Sequence, residues 1–186
     1  MTETTVQIAV EAVTELKGAD RHDLCDAAEA AIRDGGGFGW LRPPPRHVLE
    51  AFWQGVLLVP ERSLFVARLD GVIGGSAQLV RPTRNNEAQA HAANLTTSFV
   101  APWARGHGLA RGLVVAVEEA ARKEGFAIIN LDVRETQRAA IMLYERLGYQ
   151  RWGTHPYYAR VGGKWIAGHF YSKVLNPALI AEGARR

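Results

Sequence analysis

The chain has 186 residues, 47% of them hydrophobic, with one cysteine and a formal net charge of +3. That size suits one domain around a substantial core, no apolar run reaches the ~20 residues of a membrane-spanning helix, and a lone cysteine excludes an internal disulfide framework. The basic residues are mostly arginine, spread along the chain without interleaved aromatics, which argues against a nucleic-acid groove. The opening Met1-Thr2-Glu3-Thr4-Thr5 lacks the basic-then-apolar order of a secretory leader.

Partial alternation over residues 6–13 predicts a first strand. Asp20 is the predicted N-cap of a helix that carries Leu24, Ala27, Ala28, Ala31 and Ile32 at helical spacing and ends at Gly35-Gly36-Gly37. Cys25 falls in this pattern and reads as a small core residue; its solitude fits a reducing, cytoplasmic location. The run Gly39-Trp40-Leu41-Arg42-Pro43-Pro44-Pro45 reads as a stiff extended connector. A second helix is predicted from near Pro45, with Val48, Leu49, Phe52, Trp53 and Val56 on one face. Residues 63–69 and 72–80 read as strands joined by a hairpin turn at Asp70-Gly71. A polar loop covers 82–89 and a further strand 91–100.

The third helix is predicted from about Gly106 to Lys123. Leu109, Leu113, Val117 and Ala121 form its apolar stripe, Arg111, Glu118, Arg122 and Lys123 are left to solvent, and Gly125 stops it. Residues 127–133 read as a strand apolar enough for burial on both faces or a central position. A fourth helix spans about 138–147 and ends at Gly148, a strand begins over 149–152, and the last strand covers 169–175. The order β-α-α-β-β-β-α-β-α-β-β predicts an α/β or mixed α+β sheet in a single domain spanning 1–186.

Function is most legible at Phe99-Val100-Ala101-Pro102-Trp103-Ala104-Arg105-Gly106-His107-Gly108-Leu109-Ala110. A strand breaks at a proline, and two glycines then open a helix. The first N–H groups of a helix have no intrahelical acceptor, and the helix dipole favours an anion there, so such a turn takes a phosphate or diphosphate. Glycine lets a ligand approach the main chain, and Arg105 adds a cation. The P-loop pattern is absent, and the third glycine of the dinucleotide fingerprint is replaced by Arg111. The plainer reading is a tight strand-to-helix turn whose glycines serve packing alone.

The spacing Arg-x-x-Gly-x-Ala, set by Arg105, Gly108 and Ala110, resembles the pyrophosphate-binding signature of the GNAT superfamily, the acyl-CoA-dependent N-acetyltransferases. The later run Ala140-Ile141-Met142-Leu143-Tyr144-Glu145-Arg146-Leu147-Gly148-Tyr149 looks like the second half of the same core. The resemblance implies a splayed, mostly antiparallel central sheet flanked by helices, with acetyl-CoA as co-substrate in the gap. It assigns the coenzyme to Phe99, Val100, Arg105, Gly106, His107, Gly108, Leu109, Ala110, Ala140 and Tyr144. Gln137, which stands where the family often has asparagine, is assigned to the coenzyme with them. Tyr144 is implied as the general acid for the departing thiolate; taken alone, it would read as a core tyrosine. Homodimers are common in the family, so the resemblance extends to a dimer.

Residues Phe38 to Leu41, Phe52-Trp53, Tyr157-Tyr158 and the tail Phe170-Tyr171-Ser172-Lys173 look like the subgroup containing tabtoxin-resistance acetyltransferases, a likeness that also includes Gly37. Phe38, Trp40, Trp53, Tyr157 and Tyr158 are the expected walls of an acceptor pocket for the primary amine of a small molecule or amino acid. For Trp53 in particular, core packing is the competing reading. Many relatives carry a glutamate base on the fourth strand, but His91-Ala92-Ala93-Asn94-Leu95-Thr96-Thr97-Ser98 offers no carboxylate. Asp132 is the expected substitute, with His91, His155 or a relaying water as alternatives. No pair of His or Cys has metal-ligand spacing, so no metal is expected. The rival to catalysis is a non-catalytic acyl-CoA-binding or sensing module on the same fold.

Overall fold

Asp70 and Gly71 hold φ of 50° and 86°, the pair of left-handed residues that a type I′ turn requires. They close a hairpin between β2 (Arg62–Leu69) and β3 (Val72–Val80). The computed structural model describes residues 6–36 and 38–183. The N-terminal pentapeptide and Gly37, both used in the sequence reading, lie outside the described residues. The remaining elements are β1 (Ile8–Val13), α1 (Asp20–Arg33), α2 (Arg46–Leu58), β4 (Ala92–Val100), α3 (Leu109–Lys123), β5 (Ile128–Arg134), α4 (Arg138–Arg146), β6 (Gln150–Val161), β7 (Lys164–Val174) and α5 (Pro177–Gly183). The strands form an open sheet in the order β1-β2-β3-β4-β5-β7-β6, mostly antiparallel as the family resemblance implies.

The contacts divide the chain into two units, Met1–Leu79 with Thr97–Val117 and Val80–Thr96 with Glu118–Arg186. β4 and α3 contribute to both. In the first unit, β1 runs antiparallel to β2 from Ile8↔Leu69 to Val13↔Leu64. The apolar faces of α1 (Leu24, Ala27, Ala28, Ala31, Ile32) and α2 (Leu49, Trp53, Val56) close over Leu64, Val66, Ile73, Phe99 and Ala101. Cys25 is fully buried in this core, and burial pushes its thiol up to about 11. Arg46 joins the two helices, donating to Asp26 (2.5 Å), Glu29 (3.2 Å) and the His22 carbonyl (2.9 Å). α1 ends as expected at Gly35 (φ 79°): the Gly36 N–H reaches the Ala31 carbonyl and the Gly35 N–H that of Ile32, satisfying carbonyls the helix cannot.

In the second unit, β4 pairs in parallel with β5 over three rungs, Ala92–Asn94 with Ile128–Asn130. β5 then runs antiparallel to β7 along its whole length, and β7 pairs with β6.

Several expectations are corrected. Ala19, not Asp20, is the N-cap of α1; the Asp20 carboxylate instead accepts two bonds from Arg68 (2.7 and 3.1 Å). Val48 lies outside the buried face of α2. α3 starts at Leu109 rather than Gly106, because the positive φ of Gly106 and Gly108 is incompatible with a right-handed helix. Glu118 is 3% exposed; its Oε2 accepts from Lys173 (2.7 Å) and Arg122 (3.0 Å), the cations that a buried carboxylate needs. β5 is central in the strand order, but its burial alternates and leaves Asp132 exposed. The last two strands are longer than expected and meet at Gly162-Gly163, because β6 is exposed along most of its length and gives no alternating signal.

The Asp20–Arg68 pair makes stability depend on pH. The Arg68 hydrogen bond holds the Asp20 carboxyl below its ordinary 3.8, outweighing desolvation. Its stabilisation is therefore complete above that ordinary value and is lost as the pH falls through the lower, folded one. The expected result for Asp20→Asn is a shallower loss of urea-unfolding stability below pH ~4 than in the parent chain.

Candidate active site

Two glycines on β3 decide where the functional turn begins. A Cβ on Gly74 would stand 2.6 Å from the Ala104 Cβ, and one on Gly75 would stand 2.6 Å from the Phe99 carbonyl oxygen. With neither present, the segment after β4 presses onto β3, where the Ala101 N–H donates to the Gly74 carbonyl (2.8 Å). Residues 102–104 make a single 3₁₀ turn, Arg105 is extended, and Gly106 (φ 83°) and Gly108 (φ 85°) bring the chain round to α3. A Cβ on either would meet nothing within 4 Å. The requirement for glycine here is thus conformational, and the face above the turn is open to a ligand. The Gly112 N–H closes the first helical bond to the Gly108 carbonyl (3.0 Å), and Leu109 is buried at 1% exposure, anchoring the helix start. Ala110 is half-buried and His107 exposed. The first amides of a helix lack intrahelical acceptors, and the helix dipole favours negative charge beside them.

Arg105 is held from two sides. Its Nε donates to the Val100 carbonyl (3.3 Å) and its Nη1 pairs with Asp34 (2.7 Å). The Arg105 side chain is 47% exposed. Within β4, Thr97 takes φ 51°, a left-handed conformation costing a β-branched residue about 1–2 kcal/mol. Such strain collects at functional sites, and nothing in the local sequence announces it.

The spacing around Tyr144 is that of a helix C-cap. The Tyr149 N–H bonds to the Tyr144 carbonyl and the Gly148 N–H to that of Glu145 (both 3.0 Å), with Gly148 at φ 87°. This motif brings the residues before and after the glycine together, and the Tyr144 and Tyr149 rings meet edge to face at 5.7 Å. Tyr144 is 6% exposed. Tyr149 is fixed in turn by Lys173, whose ammonium lies 5.5 Å from its ring centroid. Burial, and then the Glu118 carboxylate, push the Tyr149 phenol well above the usual tyrosine range. Gln137 is the N-cap of α4 and its N–H donates to the Arg134 carbonyl (2.9 Å); Ala140 is half-buried one turn before Tyr144.

Asp132 is exposed on β5 and accepts a short hydrogen bond from the Tyr158 hydroxyl. Burial and the Asp132 hydrogen bond raise the Tyr158 phenol, with Arg134 opposing. His155 uses Nδ1 to accept the Tyr157 N–H (3.0 Å). His91 holds the start of β5 through its carbonyl, which accepts the Ala127 N–H (2.9 Å). Tyr157 is 63% exposed and lies edge-on to Trp165.

A separate aromatic cluster occupies the first unit. Phe38 stacks on Phe99 (4.9 Å) and Phe52 (6.0 Å) and meets Trp40 edge-on (5.6 Å). Trp53 is fully buried behind them, while Phe38 and Trp40 are half-buried. Among the described residues, no group of three or more His, Cys, Asp or Glu is placed to hold a metal ion. No described helix is long and apolar enough to cross a membrane.

A mostly antiparallel seven-stranded sheet whose fourth strand feeds a glycine turn and the start of α3 is a fold shared with solved acetyltransferases. The chain belongs to the acetyltransferase (GNAT) family, whose model matches residues 24–149. It is 70% identical over 131 residues, 70% of this chain and 78% of the relative, to an uncharacterized N-acetyltransferase of the hisH-hisA intergenic region of Azospirillum brasilense. An N-acetyltransferase of Staphylococcus aureus Mu50 shares the fold at 18% identity, with a TM-score of 0.78 over 91% of this chain and 99% of its own. The acetyltransferase yncA of Salmonella typhimurium, solved with its cofactor acetyl-CoA, shares it at 19% identity and a TM-score of 0.73, over 91% and 94%. The chain is thus an N-acetyltransferase of this family.

Proposed function

We propose that this chain acetylates the primary amine of a small molecule or amino acid by direct attack of the amine on acetyl-CoA, with residues 1–186 acting as one catalytic domain. The observation that carries the reading is the pair of left-handed glycines, Gly106 and Gly108, between Arg105 and the start of α3. The main-chain amides of Gly106, His107, Gly108, Leu109 and Ala110 take the diphosphate, with Arg105 beside them. The ends of Phe99 and Val100 hold the pantetheine arm through main-chain bonds, and a β4 amide near Val100 stabilises the developing oxyanion. Gln137 and Ala140 contact the coenzyme from α4.

The ammonium form of the acceptor has no lone pair, so its proton leaves first. Asp132 is the base that takes it. The free amine then attacks the acetyl carbonyl carbon, the C–S bond breaks, the Tyr144 phenol gives its proton to the departing thiolate, and the second proton lost by the new amide nitrogen restores the phenol. Phe38, Trp40 and Tyr157 contact the acceptor, with Trp53 supporting Phe38 from behind, while Tyr158 serves the acceptor side through Asp132. The single buried cysteine supports a cytoplasmic setting, and the family likeness supports a homodimer.

Gly108→Asp sets a carboxylate against the diphosphate and should raise the KM for acetyl-CoA at least tenfold in a thiol-release assay; an unchanged KM removes the phosphate-site assignment. Tyr144→Phe should lower kcat about a hundredfold while leaving the KM for acetyl-CoA within about twofold. Turnover equal to the parent chain would reduce Tyr144 to a core residue. An amine panel read by mass spectrometry identifies the acceptor.

A further inference from the structure

β6 does not run evenly against β7. His155 pairs with Gly168, and the next rung is Ala159 with Ile166. Four residues of β6 therefore span two of β7, and the surplus at Pro156, Tyr157 and Tyr158 forms a bulge. A bulge turns a side chain away from the direction its strand would give it. Here it turns the Tyr158 ring across β7 towards β5, where its hydroxyl meets the Asp132 carboxylate. The crossing is possible at one residue type only. A Cβ on Gly168 would lie 2.1 Å from Cγ of Tyr158 and within 2.5 Å of both Cδ atoms, so any other residue expels the ring. Phe170, opposite Asp132 in the β5–β7 register, closes the far side edge to face at 6.0 Å.

We propose that Tyr158 is a positioning residue for the acceptor reaction, that it holds one oxygen of Asp132 so that the other is presented to the acceptor ammonium, and that Gly168 and the β6 bulge exist to let it reach. The inference rests on the reading of Asp132 as the base. It makes residue 168 a determinant of activity although its own atoms touch no reactant. It also narrows the acceptor to amines that arrive as cations, since the presented group is an anion made rigid by a neutral donor. Tyr158 spends its only proton on Asp132 Oδ2, leaving Oδ1 to accept the N–H of the substrate.

The test uses the full chain, acetyl-CoA and the amine that turns over fastest in the panel. Tyr158→Phe keeps the ring and removes the hydroxyl. The expected result is a KM for the amine raised about tenfold, the scale of one hydrogen bond to a charged group, with the KM for acetyl-CoA unchanged. Gly168→Ala should match it. In an Asp132→Asn background, Tyr158→Phe should add nothing further. If Asp132→Asn is impaired while Tyr158→Phe is not, the positioning role is overturned and the base survives. If Asp132→Asn is as active as the parent chain, both fall. NMR of ring-labelled tyrosine reads the contact without any acceptor: the Tyr158 signals should move in Asp132→Asn and in Gly168→Ala, and signals that stay fixed in both contradict the contact itself.

Discussion

The first amides of an α-helix cannot bond within the helix, and wherever they face they create a place for negative charge. In this chain their position is fixed by backbone conformation rather than by side chains. Gly106 and Gly108 turn left-handed and α3 begins one residue later. The turn itself is fixed by what lies beneath it. Gly74 and Gly75 leave room for residues 99–104, and the Gly74 carbonyl receives the Ala101 amide. Four glycines thus divide the work, two making room and two changing direction. Arg105, clamped by Asp34 and the Val100 carbonyl, completes the turn without defining it.

The same economy governs the tyrosine of α4. Gly148 ends the helix, and the cap it forms brings Tyr149 onto Tyr144. Tyr149 is seated by Lys173, which also neutralises the buried Glu118. The tyrosine-three-glycine-tyrosine spacing is therefore a packing device as well as a motif. The Asp132–Tyr158 contact is built differently: a strand irregularity aims one partner and the absence of a side chain at residue 168 admits it.

What the sequence disclosed, and what it concealed, follows from how far apart the interacting residues lie. The Arg105–Ala110 turn, the Asp70-Gly71 hairpin and the stops at Gly35, Gly125 and Gly148 were legible because each is a local conformational requirement expressed by glycine at its own position. Gly74, Gly75 and Gly168 were silent because the atoms that forbid a Cβ come from residues 99–104 and 158, distant in the chain. Glu118 reads as solvent-facing because it lies off the apolar stripe of α3, and its main counter-ion is 55 residues further on. Most of β6 is invisible in the sequence because its exposure and its bulge erase the period of two that marks a strand. Thr97 carries a backbone that threonine does not advertise. Local punctuation was readable, whereas space made for a distant neighbour was not.

The most direct measurement is the amide spectrum of the ¹⁵N-labelled chain during titration with coenzyme A and, separately, with pantetheine, which lacks the diphosphate. The amides of Gly106, Gly108, Leu109 and Ala110 should shift with coenzyme A and stay nearly still with pantetheine. Saturation by coenzyme A with those amides unmoved would contradict the claim that this helix start receives the diphosphate.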